Sequence, residues 1–160
     1  MISQTSLTLS LPPIRGHVCF DHVNFSYESE NPVLKDIDFT ITPGMTVAIV
    51  GPTGAGKTTI VNLLSRFYNP NDGKILIDEL DIQDLQIKSI RKQVGVMLQD
   101  SFLFSGTIME NIRYGRLDAT DEQVINAAKS VQAHEFISAF PDGYNTKLSA
   151  NGGGLSQGQK

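Results

Sequence analysis

The sequence predicts an α/β fold with an N-terminal antiparallel β subdomain, a parallel-type core and a helical segment after it. Alternating apolar residues between positions 17 and 41 indicate two paired strands. The unbroken apolar run 46–50 is typical of a strand buried on both faces, and it is followed by a glycine-rich loop and an amphipathic helical pattern. Beyond Gln99 the pattern becomes mainly helical.

The composition is that of one folded domain. A length of 160 residues allows a single hydrophobic core, and the hydrophobic share of 40% is ordinary for such a domain. A net charge of −4 gives no general attraction to nucleic acid, so we expect no nucleic-acid partner. Cys19 is the only cysteine, which excludes an internal disulfide and fits a reducing compartment. No apolar run approaches the roughly 20 residues of a membrane-spanning helix.

The strands follow from alternation and its interruptions. In the first strand, residues 17–27, the apolar positions change phase at Asp21 and His22, which predicts a bulge. Residues 28–32 form a polar turn, and residues 37–41 alternate again as the antiparallel partner. Later strands are predicted at the positions 74–77 and 94–98, the second of them buried on both faces.

Helices are predicted from apolar residues at helical spacing. A helix starting at Lys57 would bury one face that comprises Ile60, Val61, Leu64 and Phe67. A short helix is expected at 87–93. Thr120 and Gln123 have capping-box spacing, so a further helix should begin there. Its apolar face would comprise Val124, Ala127, Ala128 and Val131.

The strongest functional pattern is GxxxxGK[ST] at residues 51–58. It consists of Gly51, Pro52, Thr53, Gly54, Ala55, Gly56, Lys57 and Thr58. Glycines let backbone N–H groups turn toward phosphate oxygens, and the helix N-terminus adds partial positive charge. Lys57 would reach the β- and γ-phosphates, and Thr58 would bind Mg²⁺. A chance match is expected in about one in a few hundred chains of this length, so the pattern and its strand–loop–helix context predict a P-loop NTPase core.

Several segments resemble, in order, the nucleotide-binding domain of ABC transporters. They are residues 25–27, 51–59, 97–100, 106–108 with 110–112, 140–141 with 143–144, and 155–159. The resemblance covers residues 14–160 and is greatest to exporters, in which this domain follows a membrane domain in the same polypeptide. It implies an incomplete ATP-binding domain: a disordered linker at 1–13, a β subdomain and P-loop core at about 14–100, and a helical subdomain at about 101–160.

The resemblance implies roles for residues outside the loop. Tyr27 would stack on adenine, for which a flat aromatic ring is suited, and Thr59 would extend the ATP-binding segment. Gln99 would be a ligand of Mg²⁺ and support catalysis. From the residues alone, the favoured interpretations are that Tyr27 is an outer residue of a strand and that Gln99 is the polar end of one.

The segment 155–159 corresponds to the family signature. It comprises Leu155, Ser156, Gln157, Gly158 and Gln159. In the family, this stretch opens a helix and contacts the γ-phosphate of ATP held by the opposite subunit. The S-x-x-Q spacing of Ser156 and Gln159 is equally explained by a helix cap. Ser149 and Ala150 stand where such exporters usually carry Gly-Glu, which leaves coupling through that loop open.

The resemblance implies an ATP-binding domain of an ABC exporter that couples ATP binding and hydrolysis to transmembrane export. ATP and Mg²⁺ would be its cofactors. A second nucleotide-binding domain, in a homo- or heterodimer, and a transmembrane domain would be its partners, at the cytoplasmic face of the cell membrane. The 160 residues contain no segment resembling the Walker B strand, the catalytic glutamate or the switch histidine. We therefore expect a fragment that is nearly inactive alone and, by itself, cytoplasmic.

Two other functions are consistent with a phosphate loop. The first is a non-catalytic nucleotide-binding fragment with no transport activity of its own. The second is a soluble GTPase or small-molecule kinase. A GTPase would carry an N-K-x-D motif, which is absent from the sequence, and a kinase would not explain residues 155–159. The sequence does not indicate a transported substrate.

Overall fold

A computed structural model describes residues 9–97, 102–149, 155–156 and 158–160. The chain divides into two compact units, Met1–Val96 and Met97–Lys160. Over the described ranges, no helix combines the length and apolar character that crossing a bilayer requires.

Unit 1 is built on a four-stranded antiparallel sheet with the order β2-β1-β3-β4. The strands are β1 (Val18–Glu28), β2 (Asn31–Ile41), β3 (Asp72–Ile77) and β4 (Leu80–Asp81). The predicted antiparallel pair and the predicted strand at 74–77 are confirmed. Because β2 already begins at Asn31, the turn between the paired strands is shorter than the predicted 28–32.

β1 contains the bulge that the change of phase predicted. Its register with β2 shifts between Phe20 and Val23, and His22 within the shift has a φ of 48°. Residues three apart in a regular strand point to opposite faces. The extra residue of a bulge cancels that alternation, and both Phe20 and Val23 are fully buried in the core.

The helical elements of unit 1 pack on this sheet. They are α1 (Lys57–Leu64), a 3-10 turn (Ile82–Asp84) and α2 (Ile87–Arg91). The predicted starts of both helices are confirmed. The predicted apolar face of α1 is only partly right, because the helix buries Thr59 and Leu63, whereas Val61 and Phe67 are exposed. The guanidinium of Arg91 instead covers the Phe67 ring at 4.4 Å.

The two strands predicted to be buried on both faces are not formed within the described residues. Neither 46–50 nor 94–97 pairs with a strand there, and residue 98 lies outside the described ranges. Val47 and Ile49 are exposed, and Val50 is 87% exposed. An apolar run predicts which faces a strand would bury, but a strand forms only where its backbone hydrogen-bonds to a neighbouring strand. None of β1 to β4 pairs with either segment.

The segment before β1 differs from the linker predicted at 1–13. Leu9 forms a parallel bridge with Leu85, and Leu11 is buried in the core of unit 1. Residues 9–13 therefore lie against the unit instead of extending from it, because Leu11 removes apolar surface from water on docking. Residues 1–8 are outside the described part of the chain.

Asp78, in the two-residue turn between β3 and β4, holds the chain just before β1. Its carboxylate accepts backbone N–H groups from Arg15 at 2.6 Å, Gly16 at 3.2 Å and His17 at 2.9 Å. Partial burial works to raise the pKa of this carboxyl, but the three hydrogen bonds outweigh it and the pKa lies below the usual value. The ionised form is therefore favoured in the folded chain.

A lowered folded-state pKa makes the contribution of Asp78 depend on pH. The stabilisation is complete above the unfolded-state pKa, about 4, and is lost as the pH falls through the lowered folded-state pKa. We expect the melting temperature of the wild type to exceed that of Asp78→Asn most clearly above about pH 4 and the gap to shrink below it. Glu30→Gln, in the exposed turn after β1, is the control and should follow the wild type. A gap that stays constant into strong acid would contradict this role.

Unit 2 is mainly helical, as predicted. Its elements are β5 (Gly106–Thr107), α3 (Ile108–Arg113), α4 (Asp121–Ser130), α5 (His134–Ser138) and β6 (Lys147–Leu148). β5 and β6 form a two-stranded antiparallel sheet. The buried residues Ile108, Ala128, Ile137 and Leu148 form one core cluster.

The start of α4 is the capping box that its sequence predicted. The hydroxyl of Thr120 accepts the N–H of Gln123 at 3.3 Å, and the side chain of Gln123 accepts the N–H of Thr120 at 3.0 Å. Val124 is buried on the predicted face, whereas Ala127 and Val131 of that face are exposed. The helix thus buries a narrower stripe than the apolar spacing indicated.

Candidate functional site

The loop 51–56 leads directly into α1 and curls back on itself. The N–H of Ala55 donates to the carbonyl of Pro52 at 3.2 Å. Gly54 and Gly56 both have a φ of 85°, in the left-handed region that favours glycine. Residues 51–55 are exposed, so their backbone is accessible from solvent at the start of the helix.

Gly56 is the point at which the loop touches the sheet. It is buried, and a Cβ atom added to it would lie 2.6 Å from Cδ2 of Leu34 and 3.4 Å from the carbonyl oxygen of Val33. Only a residue without a side chain allows β2 and the loop to approach this closely. The glycine therefore fixes the position of the loop as well as its curvature.

The first turn of α1 lacks a side-chain cap. Its N-cap is Gly56, no side chain in the described structure caps it, and no acidic residue lies in its first turn. By contrast, α3 and α4 both begin with capping boxes. The first N–H groups of a helix have no partner within the helix, and together with the helix dipole they attract anions. In α1 these groups are not satisfied by a cap.

Lys57 bends back over the loop that precedes it. Its Nζ donates to the carbonyl of Gly51 at 2.9 Å and to that of Pro52 at 2.7 Å. In the described part of the chain Lys57 forms no ion pair with a carboxylate. These two acceptors are neutral carbonyls, and anionic oxygens in their place would form stronger hydrogen bonds with the ammonium group. Thr58, the next residue, is exposed.

Tyr27, near the end of β1, lies against the side of α1. Its hydroxyl is 3.2 Å from Oγ1 of Thr59 and accepts a longer hydrogen bond, 3.4 Å, from the amide of Asn62. The side chain is 49% exposed. The rings of Phe25 and Tyr68 lie nearly perpendicular to it, at centroid distances of 4.9 Å and 5.0 Å. The structure thus brings an exposed aromatic ring to the helix that starts at the loop.

Sequence reasoning did not assign a role to Asn62 or Tyr68, and it did not connect Thr59 with Tyr27. The spacing within the helix does predict that Thr59 and Asn62 share a face, because they are three residues apart. No local pattern predicts that Tyr27 would contact that face.

The remaining predicted residues do not belong to the described part of unit 1. Gln99 and Gln157 lie outside the described residues. Ser156 and Gly158 are exposed and belong to unit 2. The N–H of Ser156 donates to the side chain of Gln159 at 2.9 Å, and the N–H of Gln159 donates to the Ser156 carbonyl at 3.0 Å. These contacts are those of a capped turn, and Leu155 packs on the unit 2 core.

The groups at the loop fit a triphosphate. Accessible loop amides, an uncapped helix start and an ammonium group are the donors that phosphate oxygens need. For magnesium, the exposed hydroxyl of Thr58 is a suitable oxygen ligand. Within the described residues, no cluster of three or more His, Cys, Asp or Glu side chains could hold a metal by itself. Protein-bound Mg²⁺ commonly takes part of its coordination from substrate phosphates and water.

Known proteins resemble this chain over most of its length. The family model described as ABC transporter matches residues 34–160. The ABC transporter ATP-binding protein YfiC of Bacillus subtilis is 59% identical over 91% of this chain and 24% of its own length. A fatty acid ABC transporter ATP-binding/permease protein of Mycobacterium bovis is 49% identical over 94% of this chain and 24% of its own length.

A solved structure has the same fold. The structure of a bacterial Atm1-family ABC exporter with ATP bound superposes with a TM-score of 0.92 at 42% identity, over 99% of this chain and 28% of that one. The chain spans about a quarter of the length of the curated relatives that it matches. The match of the family model over most of the chain and the identity to these relatives show that it belongs to the ABC transporter family.

Proposed function

We propose that residues 51–58 bind the triphosphate of ATP together with Mg²⁺. The observation that carries the proposal is the curled, exposed loop at the uncapped start of α1, with Nζ of Lys57 lying over it. Lys57 would exchange the carbonyls of Gly51 and Pro52 for β- and γ-phosphate oxygens. Loop amides would hold the same oxygens, and Thr58 would be a magnesium ligand. The bound magnesium would neutralise charge on the phosphate oxygens.

The base of the nucleotide would lie beside Tyr27. This side chain is half-exposed and touches α1 through Thr59, so an adenine stacked on it would be attached to phosphates at the start of the same helix. Aromatic rings bind flat purines through offset stacking. We propose that Tyr27, Thr59 and the loop form one ATP site, with Gln99 as a further magnesium ligand.

We further propose that the chain is the ATP-binding part of an exporter-type ABC transporter, in which ATP binding and hydrolysis drive transmembrane export. Relatives named as ATP-binding/permease proteins and the exporter solved with ATP bound support this. A transmembrane domain and a second nucleotide-binding domain would be its partners, at the cytoplasmic face of the membrane. The segment 155–159 would contact ATP bound to the opposite domain, and the exposure of Ser156 and Gly158 is compatible with such a contact.

The kind of groups at the loop favours nucleotide binding without hydrolysis as a second candidate. The loop amides and the Lys57 ammonium are hydrogen-bond donors suited to phosphate oxygens. Phosphoryl transfer to water also needs a group that orients the water, a role for which such donors are not suited. We propose nucleotide binding without rapid hydrolysis as the second candidate function.

Titration with Mg-ATP by isothermal calorimetry tests the ATP site. A hydrogen bond to a charged group contributes about 1.5–3 kcal/mol. We therefore expect Lys57→Ala to weaken binding by about tenfold to a hundredfold. Lys129→Ala removes the same charge from the exposed face of α4 in unit 2 and should bind like the wild type.

The outcomes separate a specific site from general charge attraction. Saturable binding by the wild type and Lys129→Ala, with a large loss in Lys57→Ala, supports the proposal. Equal losses in the two variants would show that ATP is attracted only by positive charge. Absence of saturable binding by folded wild type at millimolar concentrations of Mg-ATP would overturn the proposed site.

A further inference from the structure

The hydroxyl of Tyr27 is the centre of a small polar contact between β1 and α1. It meets Oγ1 of Thr59 at 3.2 Å and the side-chain amide of Asn62 at 3.4 Å. Thr59 is only 5% exposed. A buried hydroxyl is unfavourable unless it has a hydrogen-bond partner, and the partner here is the Tyr27 hydroxyl. The contact with Thr59 is partly buried, whereas the contact with Asn62 is exposed to solvent, so the first is better shielded from competing water.

The contact lies close in the chain to the phosphate loop. Thr59 follows Lys57 by two residues, within the first turn of α1. A shift of this turn relative to β1 would break the bond to Tyr27. The position of the aromatic ring is therefore connected to the position of the first turn of α1 through one hydrogen bond.

Aromatic packing fixes the same ring from other directions. Phe25 and Tyr68 are both at 86° to the Tyr27 ring, which is the edge-to-face arrangement that aromatic pairs prefer. About half of the Tyr27 side chain is nevertheless exposed. The two aromatic neighbours and the hydroxyl contact hold the Tyr27 ring, and the exposed part of the side chain remains accessible to a ligand.

We infer, on the basis of the proposed ATP site, that Thr59 and Asn62 are positioning residues that act through Tyr27. They would hold the ring where a purine base can stack on it, so that base and phosphate binding reinforce each other. The contact would therefore favour binding of a nucleoside triphosphate over binding of a polyphosphate that has no base. A phenylalanine at position 27 would keep a stacking surface but would lose the bond to Thr59.

A double-mutant cycle with two ligands tests this inference. The variants Tyr27→Phe, Thr59→Val and the double variant are titrated with Mg-ATP and with magnesium tripolyphosphate, which has no base. A net hydrogen bond of ordinary strength corresponds to about three- to tenfold in affinity. We expect each single variant to lose that much affinity for ATP, the double variant to lose no more than the weaker single variant, and every loss to be smaller for tripolyphosphate than for ATP. Such non-additivity is the sign of one shared interaction.

A conservative variant separates positioning from general packing. Thr59→Ser keeps the hydroxyl and loses a methyl group, so it should restore ATP affinity close to that of the wild type. A methyl-packing role would instead make Thr59→Ser weaker than Thr59→Val. If Thr59→Val fails to fold in a thermal melt, Tyr27→Phe and Thr59→Ser carry the test without it.

Three results would overturn the inference. They are wild-type ATP affinity in Tyr27→Phe, additive losses in the double variant, and equal losses for ATP and tripolyphosphate. In each of them wild-type ATP binding and its dependence on Lys57 would persist, so the proposed ATP site would stand. A wild type that binds neither ligand would overturn that site and the inference with it.

Discussion

Gly56→Ala is expected both to destabilise unit 1 and to weaken ATP binding. Two effects add. A φ of 85° strains a residue with a side chain by about 1–2 kcal/mol. The new Cβ would also lie 2.6 Å from Cδ2 of the buried Leu34, and such overpacking costs about 1–3 kcal/mol. The expected loss is therefore about 2–5 kcal/mol of unfolding free energy, measured by urea denaturation.

The function of the loop should suffer together with its stability. Gly56 joins the loop to the first turn of α1, so relief of the contact with Leu34 moves the loop amides and Lys57 together. We expect a loss of more than about tenfold in affinity for Mg-ATP. Calorimetry at a temperature where the variant is still folded measures this loss independently of stability.

Gly54→Ala is the matched control for Gly56→Ala. Its φ is also 85°, but an added Cβ would have no atom within 4 Å. This variant carries the backbone strain without the clash, so its stability loss should be about 1–2 kcal/mol. Equal losses in the two variants would show that contact with Leu34 does not determine the position of the loop.

Gly73→Ala, in β3, is expected to have the largest effect on stability. A Cβ there would lie 2.4 Å from the carbonyl oxygen of His22 and 2.5 Å from that of Asp21. Both are backbone atoms of the β1 bulge, so a side-chain rotation cannot relieve the clash. The φ of 80° adds strain. We expect a loss of about 3–5 kcal/mol in unfolding free energy.

The control for this substitution is Gly44→Ala. Gly44 has the same φ of 80°, but an added Cβ there has no atom within 4 Å. Urea denaturation of both variants isolates the effect of the contact with the bulge. If Gly73→Ala were no less stable than Gly44→Ala, the close packing of β3 on the bulge would be refuted.

The fold was predictable where the signal is local. The change of apolar phase at Asp21 and His22 indicated a bulge, and the structure has it there. The capping box at Thr120 likewise depends only on residues close in sequence. The strand predicted at 46–50 depends on neighbouring strands, which no local pattern supplies, and none of the described strands pairs with it. The face of α1 was partly wrong for a similar reason, because Phe67 is covered by Arg91 and not by the core.

The candidate site divides in the same way. The glycines and Lys57 of the loop are recognisable from local sequence, and that pattern predicted a curled loop. The contact of Tyr27 with α1 could not be predicted in this way, because Thr59 and Asn62 are 32 and 35 positions away along the chain. Such contacts are made only when the end of β1 packs on the helix. The resemblance to a family indicated Tyr27, but only the structure shows which side chains hold it.

The two hydrogen bonds from Lys57 to its own loop have a thermodynamic consequence. They close a ring from the first turn of α1 back to Gly51 and Pro52, so folding itself already imposes much of the loop's order. In the proposed site, association with a phosphate chain exchanges these two hydrogen bonds for bonds to phosphate oxygens, so Lys57 keeps its hydrogen bonds but changes their acceptors. The affinity should depend chiefly on the enthalpic difference between neutral carbonyl acceptors and anionic ones.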